Sequence, residues 1–325
     1  MTDKNGTSRS AILTALGGPG PFVVASHRRP DGDSLGSTLG LVVWLRERGA
    51  SVTGVSTDGV PAPYTFLPSA DTLERDLPGD VSGSVAVVLD TPSLGRVGDD
   101  ADRLDGARVL INIDHHPGND NFGTLNLVDP GASSTALIIH ELLTDLDAHV
   151  SSEVASLLYV GLLTDTGSFR FGNTDARTLA TASALAGAGA DAAVLASGVY
   201  GEQPVGNIRL LGLVLGSIET ALDGRVAMVY LTDAMREASG VTGESIEGLP
   251  SYARLVRGVE VALLFREEGS KIRVSLRSKG RADVNAIARE LGGGGHASAA
   301  GLVLEGTTLE EAKARVLAAI PGFLP

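Results

Sequence analysis

The stretch His27-Arg28-Arg29-Pro30-Asp31-Gly32-Asp33-Ser34 follows an apolar run, Phe22-Val23-Val24-Ala25, and precedes Leu35, Leu39, Leu41, Val42, Val43 and Leu45. The run has the length and apolar character of a buried strand, and the later apolar spacing reads as a helix. An imidazole and two carboxylates therefore occupy a strand-to-helix turn. Pro30 and Gly32 tighten that turn, and Asp33 or Ser34 is placed to cap the helix. Gathering so much polarity beside an apolar strand is costly unless the cluster binds something.

Working outward, residues 51–56 read as a second short strand. Val85-Ala86-Val87-Val88-Leu89 is an uninterrupted aliphatic run, as in a strand covered on both faces, and it ends in Asp90. Val109-Leu110-Ile111-Asn112-Ile113 is another, and it ends in Asp114-His115-His116. Helical patterns lie between and after these strands, including 136–143, 153–163, 178–190 and 192–200. Alternation of this kind predicts a parallel sheet with right-handed crossovers, whose ligands gather beyond the carboxyl ends of the strands. Three strands here end in His or Asp. A fourth carboxylate, in Thr164-Asp165-Thr166-Gly167-Ser168, closes a helix, where the dipole disfavours an anion unless a cation is near. Phe169-Arg170-Phe171 then reads as a short extended piece.

The chain has 325 residues, which predicts two domains. We place them at 1–200 and 223–325, joined by a hinge and linker helix over 201–222, with the helix over 207–222. The first ten residues are polar and read as frayed. Charged residues are 20% and hydrophobic ones 43%, a globular balance. With no cysteine, disulfides, thiolate metal sites and cysteine nucleophiles are excluded. No apolar run reaches membrane-spanning length, and the expected setting is cytoplasmic. The net charge of −13 argues against wrapping long nucleic acid. Its distribution refines this: residues 1–221 hold 13 basic against 26 acidic side chains, and residues 222–325 hold 13 of each. An acidic first domain suits cations, and a balanced second domain with clustered arginine suits anions.

The second domain opens with a strand over 225–231. A β-hairpin follows, 259–266 with 271–277, turning near Glu268-Gly269-Ser270, and then a helix over 284–291. That helix stops at Gly292-Gly293-Gly294-Gly295-His296-Ala297-Ser298-Ala299-Ala300-Gly301. Four consecutive glycines cost much backbone entropy and predict a loop whose backbone approaches a ligand closely or turns sharply.

Taken together, His27, Asp31, Asp33, Asp90, His115 and Asp165 offer nitrogen and oxygen donors suited to Mn²⁺, with Mg²⁺ or Co²⁺ as substitutes. Two such cations a few ångströms apart would clamp a phosphorus centre for in-line attack. Asp90, alone at its strand end, is the natural bridge.

These residues also resemble a family, the DHH phosphoesterases, named for the motif that stands here as Asp114-His115-His116. His27-x-x-Pro30-Asp31-Gly32-Asp33-Ser34 looks like its first motif, Asp90 its second and Asp165 its fourth. The segment 292–301 looks like the signature of its associated C-terminal domain. The glycine-histidine signature, with Arg277-Ser278, is similar to the nano-RNase and pAp-phosphatase group. The resemblance implies an α/β fold: a parallel-sheet domain joined by a linker helix to a smaller mixed-sheet domain, with the active site in the cleft. It implies one cation on His27, Asp31 and Asp90, and a second on Asp33, Asp90, His115 and Asp165. His116 would contact the scissile phosphate, and Asp114 would orient its neighbouring histidine. Arg277, Ser278, His296 and the backbone of Gly293, Gly294 and Gly295 would hold the substrate. Expected substrates are short RNA or DNA oligonucleotides, or 3′-phosphoadenosine 5′-phosphate (pAp), cut to nucleoside monophosphates. The competing readings are a cyclic-di-AMP or pApA phosphodiesterase, a pyrophosphatase and a non-catalytic nucleotide-binding regulator. A homodimer is compatible with the sequence.

Overall fold

A computed structural model describes residues 4–201, 204–241 and 249–324, and the chain divides into two compact units, 1–202 and 203–325. From Lys4 the polar start is helical rather than frayed. Helix α1 (Lys4–Gly17) buries Ile12 and Leu16, and Arg9 Nε holds Asp145 at 2.7 Å.

The rest of the first unit is built on strands β1 (Phe22–Ala25), β2 (Val52–Val55), β3 (Val85–Leu89), β4 (Val109–Asp114) and β5 (Leu125–Val128). All pair in parallel, in the order β2-β1-β3-β4-β5. Strand β5 went unread in the sequence because only one of its four residues is fully buried. After β1 the chain adds β2 on one side and later β3 on the other. The carboxyl ends of β1 and β3 therefore flank the topological switch point, where doubly wound sheets bind ligands. One face of the sheet is covered by α1, α2 (Gly32–Glu47), α3 (Thr135–Asp145) and α4 (Ser152–Asp165). The other is covered by 3-10 turns carrying Val97, Ala101 and Leu104. Helices α5 (Ala176–Gly187) and α6 (Ala192–Ala196) follow, and a π-helical turn spans Ser197–Gly201.

The second unit starts with α7 (Val205–Gly216), and the strand β6 (Glu219–Ala221) replaces the end of the helix expected to run to 222. Of the hinge expected over 201–206, residues 202 and 203 lie outside the described residues. Strand β7 (Val226–Leu231), helices α8 (Asp233–Ser239) and α9 (Leu249–Ala253), and strands β8 (Val261–Glu268) and β9 (Lys271–Ser278) come next. Helix α10 (Val284–Glu290), strands β10 (Gly294–His296) and β11 (Ala299–Glu305) and helix α11 (Leu309–Ala319) complete the unit. The six-stranded sheet has the order β10-β11-β9-β8-β7-β6 and is mixed, with β7 and β8 parallel and the other pairs antiparallel. Alternation along β9 sends Ile272, Val274 and Leu276 to a core under α10 and α11. Ala262 and Leu264 on β8 face a second core with α7 and α9.

The glycine run is therefore no loop. Gly292, at φ 83°, ends helix α10 in the left-handed conformation. Gly293 and Gly295 lie so close to β11 that a Cβ on either would strike backbone there. Among the described residues no single helix is long and apolar enough to cross a membrane.

Candidate active site

The turn after β1 is capped by Asp31, not by Asp33 or Ser34: Asp31 Oδ1 accepts from Ser34 N at 3.0 Å. That frees Asp33 for the first turn of α2, where it is 1% exposed. Its carboxylate accepts from the amides of Thr135 (2.6 Å) and Ala136 (2.9 Å) at the start of α3 and from Ser37 Oγ (3.2 Å). Burial raises its pKa despite the pull of His115 and these amides.

Asp33 reaches that depth because α2 and α4 approach backbone to backbone. Gly32, Gly36 and Gly40 line one face of α2 at spacings of four. A Cβ on Gly36 would meet the Leu157 carbonyl and the Gly161 amide. One on Gly161 would meet Ala136 and Asp33. The close packing places the first turn of α2 beside the last turn of α4, which ends in Asp165.

The histidines are oriented by their own surroundings. His27 Nδ1 lies 2.7 Å from the Arg28 carbonyl and His115 Nδ1 3.3 Å from the Ala132 carbonyl. A carbonyl only accepts, so both rings carry a proton on Nδ1 and turn Nε2 toward the carboxylates. His27 Nε2 faces Asp90 (3.6 Å) and Asp31 (3.9 Å). His115 Nε2 faces Asp90 (3.5 Å), Asp165 (3.5 Å) and Asp33 (3.9 Å). Asp90 itself is buried, with φ 55° on a non-glycine residue, and accepts from Thr135 Oγ1 at 3.1 Å. Strained backbone of this kind concentrates at functional sites.

Asp114 is fully buried and gathers three donors: His115 N (2.9 Å), His116 Nδ1 (2.7 Å) and Asn119 Nδ2 (2.6 Å). Burial alone would lift its pKa. The His116 and Asn119 hydrogen bonds outweigh that, hold it low and keep it ionised. Sequence reading missed Asn119, which also donates to the Thr91 carbonyl and so joins the β3 and β4 loops. It missed Thr135 too, whose amide and hydroxyl tie Asp33 to Asp90.

The six expected donors thus come together, in the groups His27/Asp31/Asp90 and Asp33/His115/Asp165. A further group, Asp90/His115/His116, adds a histidine that the sequence placed on the substrate. Donors of each group lie within 4.8 Å of one another. The histidine-carboxylate gaps of 3.5–3.9 Å are too long for hydrogen bonds. They suit two ligands of one ion, since donors about 2.1 Å from a cation and about 110° apart are roughly 3.4 Å from each other. Electrostatics agree. Burial, then the charges of Asp33 and Asp31, drive the Asp90 pKa well up. Burial and Asp33 lift Asp165 to about 7. Burial opposes charge on His115, but Asp33, Asp165 and Asp90 outweigh it and raise the ring to about 9. Buried carboxylates crowded to this extent call for positive charge, and the residues fit divalent cations.

In the second unit, Arg277 on β9, Ala299 on β11 and His296 on β10 are register partners and form one row across three strands. Burial, then the nearby Arg254, lower the Arg277 pKa; its Nη1 donates to the Leu276 carbonyl at 3.0 Å. Ser278 is buried and its Oγ accepts from Gly280 N at 2.8 Å, bracing the turn. The next row is Ser275, Gly301 and Gly294, and the face is hollowed into a depression of about 390 Å³ bordered by Arg273, Ser275, Gly293 and Gly301.

A doubly wound sheet whose three central strands end in shared histidine and carboxylate donors defines a candidate two-cation centre. Comparison with known proteins gives the same class. Residues 21–162 match the DHH family N-terminal domain and residues 223–324 the DHHA1 domain. A bifunctional oligoribonuclease and PAP phosphatase NrnA of Thermus thermophilus is 34% identical over 93% of this chain and 89% of its own. The protein of that name from Bacillus subtilis is 33% identical over 86% of this chain and 88% of its own. The crystal structure of an exopolyphosphatase-related protein from Bacteroides fragilis superposes with a TM-score of 0.90 at 26% identity, covering 98% of this chain and 96% of that one. The chain belongs to the DHH family.

Proposed function

We propose that this protein is a metal-dependent phosphoesterase that hydrolyses short oligoribonucleotides and pAp to nucleoside monophosphates. One observation carries the reading: Asp90 and His115 are shared among donor groups drawn from the carboxyl ends of β1, β3 and β4 and the end of α4. The names of the curated relatives support the substrate class. When bound, two divalent cations supply Lewis-acid neutralisation of the phosphoryl charge. His27, Asp31 and Asp90 would hold one; Asp33, Asp90, His115 and Asp165 the other. His116, whose Nδ1 is held by the ionised Asp114 at 2.7 Å, would turn its other ring nitrogen to the scissile phosphate. In the second unit, Arg277, Ser278, His296 and the backbone of Gly293, Gly294 and Gly295 are the substrate-binding residues of this reading.

Mn²⁺ as the working cation, a cytoplasmic setting and a homodimeric state belong to the same proposal. The mixed nitrogen and oxygen donors support the first. The acidic balance of residues 1–221 favours substrates of a few nucleotides over polymers. The test is Mn²⁺-dependent product analysis with pAp, pApA, cyclic-di-AMP, pyrophosphate and a labelled RNA five-mer. Release of AMP from pAp and of mononucleotides from the five-mer is expected. Turnover of cyclic-di-AMP or pyrophosphate alone would replace this reading, and no turnover of any would remove it.

A further inference from the structure

We infer that Arg170 binds a phosphate of the substrate other than the one being cleaved. The inference rests on the phosphoesterase reading above and adds to it a specificity residue on the first unit.

Helix α4 ends at Asp165, and Gly167, Ser168 and Phe169 then take φ of 56°, 61° and 61°, three successive left-handed residues. Two of them carry side chains, so the turn persists only because its surroundings hold it. Thr166 supplies that hold: its Oγ1 accepts from Phe169 N at 3.1 Å, and its carbonyl accepts from Arg170 N and Phe171 N, both at 3.0 Å. The Phe171 ring fills the space a Cβ on Gly167 would need. Asn173 Nδ2 donates to the Asp165 carbonyl at 3.1 Å. Arg170 is thus mounted on a rigid turn clasped to a residue of the candidate cation centre.

The guanidinium is only half used. Nε donates to the Gly167 carbonyl at 2.7 Å, and among the described residues neither Nη has a hydrogen-bond partner. Three arginines of the unit are paired with carboxylates by contrast: Arg9 with Asp145, Arg28 with Asp99 and Arg177 with Glu141 and Asp129. Arg170 is exposed and pairs with no carboxylate among the described residues. A planar guanidinium with both terminal nitrogens open suits the fork of a phosphate. Charge balance says why one is needed. Asp31, Asp33, Asp90 and Asp165 offset the formal charge of two dications, whose Lewis acidity would be directed at the scissile phosphate, so a second phosphate, close to −2, needs a cationic partner of its own. Residues 1–221 hold twice as many acidic as basic side chains, so an open guanidinium five residues beyond Asp165, on the turn that follows its helix, counts.

The experiment measures kcat and KM of the Mn²⁺-loaded full chain and of Arg170→Gln and Arg170→Lys. Substrates are pAp and pApA, with a non-scissile phosphate, and bis(p-nitrophenyl) phosphate, without one. Arg170→Gln is expected to raise KM for both nucleotides about 10- to 100-fold with a much smaller change on the aryl diester. It should also flatten the slope of log KM against log salt by about one for pApA. Arg170→Lys should recover part of the loss, because the charge is kept and the fork is lost. Equal losses on all three substrates, or an unchanged salt slope, would overturn the inference and leave Arg170 a brace for the turn. An unchanged KM for both nucleotides would overturn it as well. A wild-type protein that cleaves the aryl diester but neither nucleotide would remove the underlying reading together with this one. If the wild type cleaves both nucleotides, a failed Arg170 result removes this inference alone.

Discussion

Replacing Asp165 by Asn should make the cation-free protein more stable and the cation-loaded protein less responsive. Burial and the charges of Asp33 and Asp31 raise the Asp165 carboxyl from an ordinary 3.8 to about 7, even after the attraction of His115. A carboxyl whose pKa rises on folding is penalised as pH climbs. The penalty is absent below about 3.8, grows as the unfolded chain ionises first, and is complete above about 7. Taken at face value it amounts to about 4 kcal/mol. The side chain is 29% exposed, so screening by water reduces this to about 1–2 kcal/mol.

For a unit of this size that corresponds to about 2–8 °C in Tm. The assay is a thermal melt in EDTA at pH 4 and pH 7.5, repeated with Mn²⁺ in excess. Wild type and Asp165→Asn should coincide at pH 4, and the variant should melt higher at pH 7.5 in EDTA. With Mn²⁺ at about 100 times its Kd the wild type should gain about 2.7 kcal/mol and the variant clearly less. A variant that melts lower than wild type in EDTA at pH 7.5 would refute the reasoning. It would mean that Asp165 is held by structural bonds rather than kept poised for a cation.

Three further outcomes are expected. Asp90→Ala should reduce Mn²⁺-dependent hydrolysis to background while far-ultraviolet circular dichroism stays that of wild type; wild-type turnover would sink the donor assignment. Gly36→Ala should cost about 1–3 kcal/mol, because the new methyl meets backbone of Leu157 and Gly161 that cannot give way. A melt within a degree of wild type would show that α2 and α4 are free to separate. His296→Ala should raise KM for pAp more than it impairs hydrolysis of an aryl phosphodiester, and equal losses on both would argue against substrate contact.

The donors were legible because each sits where chain pattern and chemistry change together: an aliphatic run stops and a histidine or aspartate begins. The strands follow from the same runs, except for β5, β6, β10 and β11, whose short or glycine- and alanine-rich stretches carry little periodic signal. The glycines at 293 and 295 looked like a ligand loop, and the backbone of β11 is what requires them. Phe169-Arg170-Phe171 alternates like a strand, yet the hydroxyl and carbonyl of Thr166 bend it into a turn, a competition between local hydrogen bonds that periodicity does not register. The four-residue spacing of Gly32, Gly36 and Gly40 was visible, but its meaning depended on a partner helix more than a hundred residues away.

Asp33 shows why fold and site cannot be read apart here. Its oxygens accept from the first amides of α3, so the carboxylate acts as an anion at a helix N-terminus as well as a candidate ligand. Oδ1 already accepts twice, from Ala136 N and Ser37 Oγ, whereas Oδ2 accepts from Thr135 N alone, keeps a second lone pair and faces His115 Nε2 at 3.9 Å. Substituting Asp33 would strip α3 of its anion, release Thr135 from between Asp33 and Asp90, and remove a donor in one stroke. Activity lost in that variant would therefore not separate ligation from folding. Asp165 makes no side-chain hydrogen bond among the described residues comparable to these, and the attraction of His115 offsets only part of the burial and repulsion acting on its charge. It is the position at which cation binding and stability should move in opposite directions when the carboxylate is removed.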